Sequence, residues 1–230
     1  MPIRAVFFDV DFTLIYPGPM FCAEGYRAFG ARFGIDVDPL RFDAAVTSAA
    51  ALLDNPEDAP YDADIYVAYT RHIVERMGGR GDRLDECARE IYAEWAAYQH
   101  FELYDDVPEV LRELAGAGIR LGLISNSHRC LESFQSHFEL QGLISATVSS
   151  SEHGFMKPRA SIFAAALQLV DVVARDAVMV GDHVRQDVEG ALRAGMRAVL
   201  LHRSDSPAPE CAAPVIRSLS ELPALLTSNF

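Results

Sequence analysis

Four short apolar runs punctuate the chain: Ile3–Phe8, Ile119–Ile124, Ala177–Val180 and Ala198–Leu201. Each has the length of a strand, is rich in aliphatic or β-branched residues, and gives way to a polar cluster. Unbroken apolar runs suit strands covered on both faces, because neither face alternates with polar positions. Ile144–Val148 is a weaker fifth candidate. Between these runs the period changes. Val107, Val110, Leu111 and Leu114 predict a helix over Val107–Ala117, ended by Gly116 and Gly118, while Ile162, Ala165, Ala166 and Leu169 predict one over Ser161–Val170. Alternation of strand and helix across residues 105–201 predicts an α/β fold built on a doubly wound parallel sheet, whose site lies beyond the carboxyl ends of the strands.

The stretch from Tyr16 to His100 interrupts that rhythm with helical patterns rich in alanine and aromatics: Tyr26, Phe29 and Phe33, then Tyr66, Tyr69 and Ile73, then Ile91, Trp95 and Tyr98. It is far longer than an ordinary crossover and is expected to be an inserted helical cap. This assigns residues 1–15 and 101–230 to the core and 16–100 to the cap, with hinges near Tyr16–Pro19 and His100–Asp105. Asp54–Asp62, with Pro56, Pro60 and four acids, is expected to be a loop inside the cap. Ser204–Pro214 reads as an exposed loop before a short final helix, Ser218–Leu226.

Half the residues are apolar, enough for a substantial core. Lys plus Arg number 20 against 33 Asp plus Glu, and the net charge of −13 disfavours nucleic acid and anionic lipid as partners. Cys22, Cys87, Cys130 and Cys211 lie far apart without zinc-ligand spacing, as expected of idle thiols in a reducing compartment. No signal-peptide pattern opens the chain and no apolar run reaches the roughly 20 residues of a membrane span. The expectation is a soluble, cytoplasmic protein, monomeric or a homodimer, without membrane association.

The first run delivers Asp9-Val10-Asp11-Phe12-Thr13, and carboxylates two residues apart at a strand end point in a similar direction. Two carboxylates ~4 Å apart repel by roughly 4 kcal/mol at an effective dielectric of about 20, so the pair needs a cation, a shared proton or separation. Ser125-Asn126-Ser127 follows the second run and can grip an anion or simply cap a turn. Gly181-Asp182, with Asp187 beyond, follows the third; Asp182 can meet metal or phosphate, or cap the next helix. Lys157-Pro158 precedes the Ser161–Val170 helix. Lys157 is the only lysine, the other 19 cationic side chains being arginine, which points to a position wanting a compact ammonium.

Together, Asp9-x-Asp11-x-Thr13, Ser125-Asn126, Lys157-Pro158 and Gly181-Asp182 with Asp187 resemble the four ordered motifs of the haloacid dehalogenase superfamily, and the resemblance covers nearly the whole chain. The insertion resembles that superfamily's helical cap of the first type, as in phosphoglycolate phosphatase-like members. The resemblance implies a Rossmann-like core and a Mg²⁺-dependent phosphohydrolase acting on a small phosphate monoester. It makes Asp9 the nucleophile that forms an aspartyl-phosphate, Asp11 the acid/base, and Lys157 the cation offsetting charge on Asp9 and the phosphoryl group. Ser125 and the Asn126 amide would hold phosphoryl oxygens. Mg²⁺ would rest on the Asp9 carboxylate, the Asp11 carbonyl and the Asp182 carboxylate, with Asp187 behind them.

One departure stands out: Phe12 replaces the glycine usual after the second Asp, implying a different local turn or a ring packed toward the cap. The rival activities are a 2-haloacid dehalogenase, disfavoured by Asp11 and Asp182, a phosphomutase, and a non-catalytic binding protein of the same fold. Tyr26, Arg27 and Tyr66 could touch substrate, but aromatics at helical spacing are expected to be cap core. His128, Arg129 and His183 are expected to serve ordinary turn or surface roles.

Overall fold

A computed structural model describes residues 2–53 and 60–228. The part of the expected Asp54–Asp62 loop at residues 54–59 lies outside the described residues. In chain order the elements are β1 (Ala5–Phe8), β2 (Ile15–Pro17), α1 (Ala23–Arg32), α2 (Phe42–Ala49), α3 (Ala63–Arg76), α4 (Leu84–Glu94), β3 (Phe101–Leu103) and α5 (Val107–Gly116). They continue with β4 (Arg120–Ser125), α6 (Leu131–His137), β5 (Ile144–Ser149), α7 (Ser150–His153), α8 (Ala160–Val170) and β6 (Ala177–Gly181). The last are α9 (Gly190–Arg193), β7 (Arg197–Leu201), β8 (Val215–Ile216) and α10 (Leu222–Thr227).

The main sheet has the order β5-β4-β1-β6-β7-β8, and its pairs are parallel. Taken in the order the chain visits these strands, this is the 3-2-1-4-5-6 arrangement of doubly wound folds, whose switch point falls at the first strand. β1 sits there between β4 and β6, with Phe8 level with Leu123 on one side and Val180 on the other. All four residues of β1 are fully buried, as its unbroken apolar run predicts. Ala5 and Phe7 belong to a core cluster with Ile162, Phe163, Ala166 and Leu167 of α8, while alternation sends Val6 and Phe8 to the other face.

Two predicted elements differ in detail. On α8 the buried stripe is Ile162, Phe163, Ala166, Leu167 and Val170, whereas Leu169 is 60% exposed. The helix is apolar on nearly every side, so its sequence defines two stripes about equally well, and sheet packing selects one. At the other end, Val215–Ile216 adds a sixth strand, joined by bonds from Leu200 N to Pro214 O and His202 N to Ile216 O, both 2.9 Å. The final helix starts as a tight 3₁₀ turn, Leu219–Glu221, closed by a Ser218–Glu221 capping box.

The chain divides into two compact units, residues 1–16 with 103–230, and residues 17–102. The inserted unit carries α1 to α4 around buried Tyr26, Phe29, Ile73, Val74, Met77, Cys87 and Ile91. Its entry and exit are tied by a 2.8 Å bond from Gly18 N to His100 O. Tyr26 is buried with its ring 5.1 Å from that of Phe42, Tyr66 stacks on Tyr92 at 5.8 Å, and exposed Arg27 pairs with Glu24.

Within the core, Asp106 fastens three segments. Its carboxylate accepts from Arg203 Nη1 and Nη2 (both 2.9 Å), Ser218 Oγ (2.7 Å) and Leu219 N (2.8 Å). Arg203 also donates to Thr13 O and lies 3.8 Å over the Tyr104 ring. Burial alone would raise the Asp106 carboxyl, but these donors outweigh it and hold it below the usual aspartate value. A depressed carboxyl stabilises the fold above its unfolded value of 3.8 and loses that contribution as pH falls through the folded value. Asp106→Asn should therefore cost about 2 kcal/mol in urea denaturation at pH 7, and the gap to the parent chain should narrow below about pH 4. An equal gap at both pH values would show that the charge is not what stabilises.

Candidate active site

Asp9 follows β1 directly, and its amide still keeps sheet register by donating to Val180 O at 2.9 Å. The chain then folds back: Leu14 N and Ile15 N both donate to Val10 O, and Phe12 N donates to Ile15 O at 2.7 Å. Phe12 takes φ +61° and is 45% exposed. Phe12 thus holds the left-handed region without being glycine, at a cost of about 1–2 kcal/mol.

Lys157 is buried and reaches the same place from the connection before α8. Its Nζ donates to Asp9 Oδ1 at 2.5 Å and to Asp187 Oδ1 at 2.6 Å. Asn126, just past β4, holds the backbone that carries it: Oδ1 accepts from Lys157 N (2.7 Å), while Nδ2 donates to Lys157 O (3.0 Å) and Gln186 Oε1 (3.1 Å). The Asn126 side chain is therefore engaged with protein. Ser125 ends β4, buried, with its hydroxyl donating to Ser127 Oγ at 3.0 Å.

β6 delivers Gly181-Asp182, and a π-helical turn, Val184–Glu189, swings Asp187 inward beneath them. Such turns recur at functional sites because the extra residue re-aims a side chain. Asp187 Oδ2 accepts from His183 N at 3.1 Å, and a Cβ on Gly181 would lie 2.2 Å from that oxygen, so only glycine leaves room for the carboxylate. Asp9, Asp182 and Asp187 each bring one oxygen to within 4.8 Å of the others.

Charge in this cluster is unbalanced. Three carboxylates meet one ammonium. Burial, opposed by Lys157 and reinforced by Asp187, pushes the Asp9 carboxyl up to about 7. Asp182 keeps solvent access, yet crowding by the surrounding protein and the charges of Asp9 and Asp187 raise it well above the ordinary value. For Lys157, burial lowers the ammonium pKa but Asp187 and Asp9 outweigh it, so the group stays charged. The surplus negative charge and the all-oxygen donor set fit a hard divalent cation such as Mg²⁺.

The Asp11 carboxylate is not in that cluster. It accepts from Arg129 Nη1 at 2.6 Å, and Arg129 is fully buried. The expected turn or surface role for Arg129 is thereby corrected: an arginine two residues past Ser127 looks like loop punctuation in sequence, and only the fold puts it beneath Asp11. His183 does serve its turn, with Nδ1 accepting from Gln186 N. His128 is half-buried, and burial followed by the Arg129 charge lowers its pKa. Gln186 is not legible in the sequence, since nothing in its spacing separates it from other polar loop residues. An open surface pocket of about 300 Å³ is lined by Tyr16, Tyr104 and Asp105, and Tyr104 is near enough to Asp182 to feel its charge.

The model of the haloacid dehalogenase-like hydrolases matches residues 3–195. The chain belongs to the haloacid dehalogenase-like hydrolase family. Among curated members of this hydrolase family, it is 29% identical over 244 residues to haloacid dehalogenase-like hydrolase domain-containing protein 3 of Danio rerio, covering 100% of this chain and 98% of that protein. It is 30% identical over 246 residues to the N-acylneuraminate-9-phosphatase of Homo sapiens, covering 98% and 94%. A solved 2-haloacid dehalogenase from Pseudomonas syringae superposes with TM-score 0.65 at 25% identity, covering 97% and 98%. Membership of the family fixes a hydrolase on a shared core. Relatives of both reaction types use it, so the choice between them falls to the side chains. No helix among the described residues is long and apolar enough to cross a membrane.

Proposed function

We infer that this hydrolase is a phosphatase that cleaves a small phosphate monoester through an aspartyl-phosphate on Asp9, with Mg²⁺ as cofactor. The observation that carries the reading is the uncompensated cluster of Asp9, Asp182 and Asp187 around Lys157 at the switch point of the sheet. Such a cluster repels an anionic substrate unless a cation joins it. A dehalogenase has no evident use for Asp182 or for a second acid at Asp11. The phosphatase named among the relatives, full-length in its match, supports the same choice.

In this mechanism Asp9 attacks phosphorus as the bond to the leaving oxygen breaks, and Asp11 gives that oxygen a proton. Asp11 then takes a proton from the water that frees Asp9. Lys157, the Ser125 hydroxyl and the Asn126 backbone amide hold the phosphoryl oxygens while charge shifts onto them. Asp9, Asp182 and the Asp11 carbonyl would hold Mg²⁺, with Asp187 fixing Lys157 behind; the ion would offset phosphoryl charge. We assign residues 16–100 the role of a cap that selects the leaving group. Sugar-acid phosphates head a substrate screen because of the human relative.

The test is phosphate release from p-nitrophenyl phosphate with Mg²⁺ and with EDTA, beside halide release from a 2-haloacid. Metal-dependent phosphate release supports the reading; halide release without metal overturns it. Asp182→Asn supplies a second readout. The raised carboxyl at this position leaves the metal-free fold unburdened below its unfolded value of 3.8 and destabilises it increasingly as pH climbs from there toward its folded value, above which the burden is constant. The variant should melt about 2–4 °C higher than the parent chain at pH 8 without metal, and Mg²⁺ should no longer raise its melting temperature.

A further inference from the structure

Arg129 has no part in the mechanism above, yet it is the bulkiest fully buried side chain among the described residues. A buried guanidinium is costly unless an acid pairs with it. Its acid is Asp11, whose Oδ1 receives Nη1 at 2.6 Å. The pairing uses one carboxylate oxygen only. Asp11 Oδ2 has no hydrogen bond among the described residues, and the side chain is 20% exposed against 0% for Arg129. One oxygen is thus clamped from the protein side while the other is left toward solvent. Asp11 is not one of the carboxylates that converge within 4.8 Å, although its charge reaches Asp9.

We propose that Arg129 is a positioning residue, anchoring Asp11 Oδ1 so that Oδ2 is presented to the leaving-group oxygen; the inference rests on the acid role given to Asp11 above. An unanchored aspartate carboxyl samples several rotations about its last bond, few of which deliver a proton along the breaking P–O bond. A misplacement of about 1 Å can cost on the order of 100-fold in rate. In the first step the Asp9 oxygen bonds to phosphorus, the P–O bond to the leaving group breaks, and the electron pair left on that oxygen takes the proton from Asp11 Oδ2. In the second, water attacks phosphorus and returns a proton to Oδ2 as Asp9 is released. Arg129 neither gives nor receives a proton in either step.

Need for the acid depends on the leaving group, and this separates positioning from plain stability. p-Nitrophenolate departs readily unprotonated, whereas an alkoxide does not. kcat/KM, which reports the step that expels the alcohol, is measured for p-nitrophenyl phosphate and for glycerol 1-phosphate in the parent chain, R129M, R129K, D11N and D11N/R129M. The expected result is a loss of about 100-fold on the alkyl ester but only about 3-fold on the aryl ester for R129M. R129K, which keeps a buried cation, should recover part of the loss, and R129M should add nothing in the D11N background. Equal losses on both esters for R129M, or an undiminished further loss in the D11N background, overturn the inference while leaving Asp11 as the acid. Equal losses on both esters for D11N overturn the acid role and the inference with it. Should R129M not fold, R129K decides: discrimination between the esters unchanged from the parent chain overturns the proposal, and a selective loss on the alkyl ester supports it.

Discussion

Asp9→Asn should lower turnover of any phosphate ester by on the order of 10⁴-fold or more, because the amide oxygen is too weak a nucleophile to form the acyl phosphate. The structural point is that the fold should not suffer. Burial, opposed by Lys157 and reinforced by Asp187, pushes the Asp9 carboxyl up to about 7, so its ionised form is a burden on the metal-free protein. For a group whose folded value is raised, the burden is absent below the unfolded value of 3.8 and grows as pH climbs toward about 7. Lys157 keeps Asp187 as its partner in the variant. Phosphate-release kinetics and thermal melts at pH 8 should therefore move in different directions: activity lost, melting temperature equal or higher. A variant that retains turnover removes Asp9 as nucleophile, and one that melts far below the parent shows that the Asp9 contact with Lys157 supports the fold.

Lys157→Met should do the opposite to stability. It leaves Asp9 and Asp187 buried with no cation between them, the situation in which breaking a buried ion pair costs roughly 3–5 kcal/mol. For a chain of this size that corresponds to a fall of about 10 °C in melting temperature. The penalty comes from ionised carboxylates, so it should shrink as the pH is lowered from 8 toward 5.5 and Asp9, whose carboxyl burial pushes up to about 7, takes up a proton. It should also shrink when Asp9→Asn is combined with it. Turnover should fall too, since the same ammonium offsets phosphoryl charge. A pH-independent loss would mean that the side chain matters for its volume alone.

How far the chain announces all this depends on the kind of signal. β1, β4, β6 and β7 are continuous apolar runs closed by polar residues, and such runs have few alternatives. The parallel sheet and the position of Asp9, Ser125 and Asp182 at strand ends follow from them. The stripe on α8 does not, because an all-apolar helix encodes no single face. β8 is only two residues long and owes its strand state to the neighbouring β7, so no local pattern could reveal it. At the site, Lys157 is conspicuous as the only lysine, and Asp187 by its distance from Asp182. Arg129 is not conspicuous at all. Its meaning comes from Asp11, which lies 118 residues earlier in the chain, and a partnership of that range is created by the sheet order alone.

The place of β1 in that order also bears on how the molecule is made. β1 leaves the ribosome well before its partners, since among the described residues it pairs with β4 and β6, Ala5 lying opposite Arg120 and Ala177. Until both have been synthesised, Ala5–Phe8 is an apolar segment with no ladder to join, the sort of segment that invites aggregation or chaperone capture. Residues 17–102, by contrast, are contiguous and rich in local helical contacts, and contacts of that kind form quickly. The insertion can thus be finished while the central strand of the sheet still waits for its neighbours.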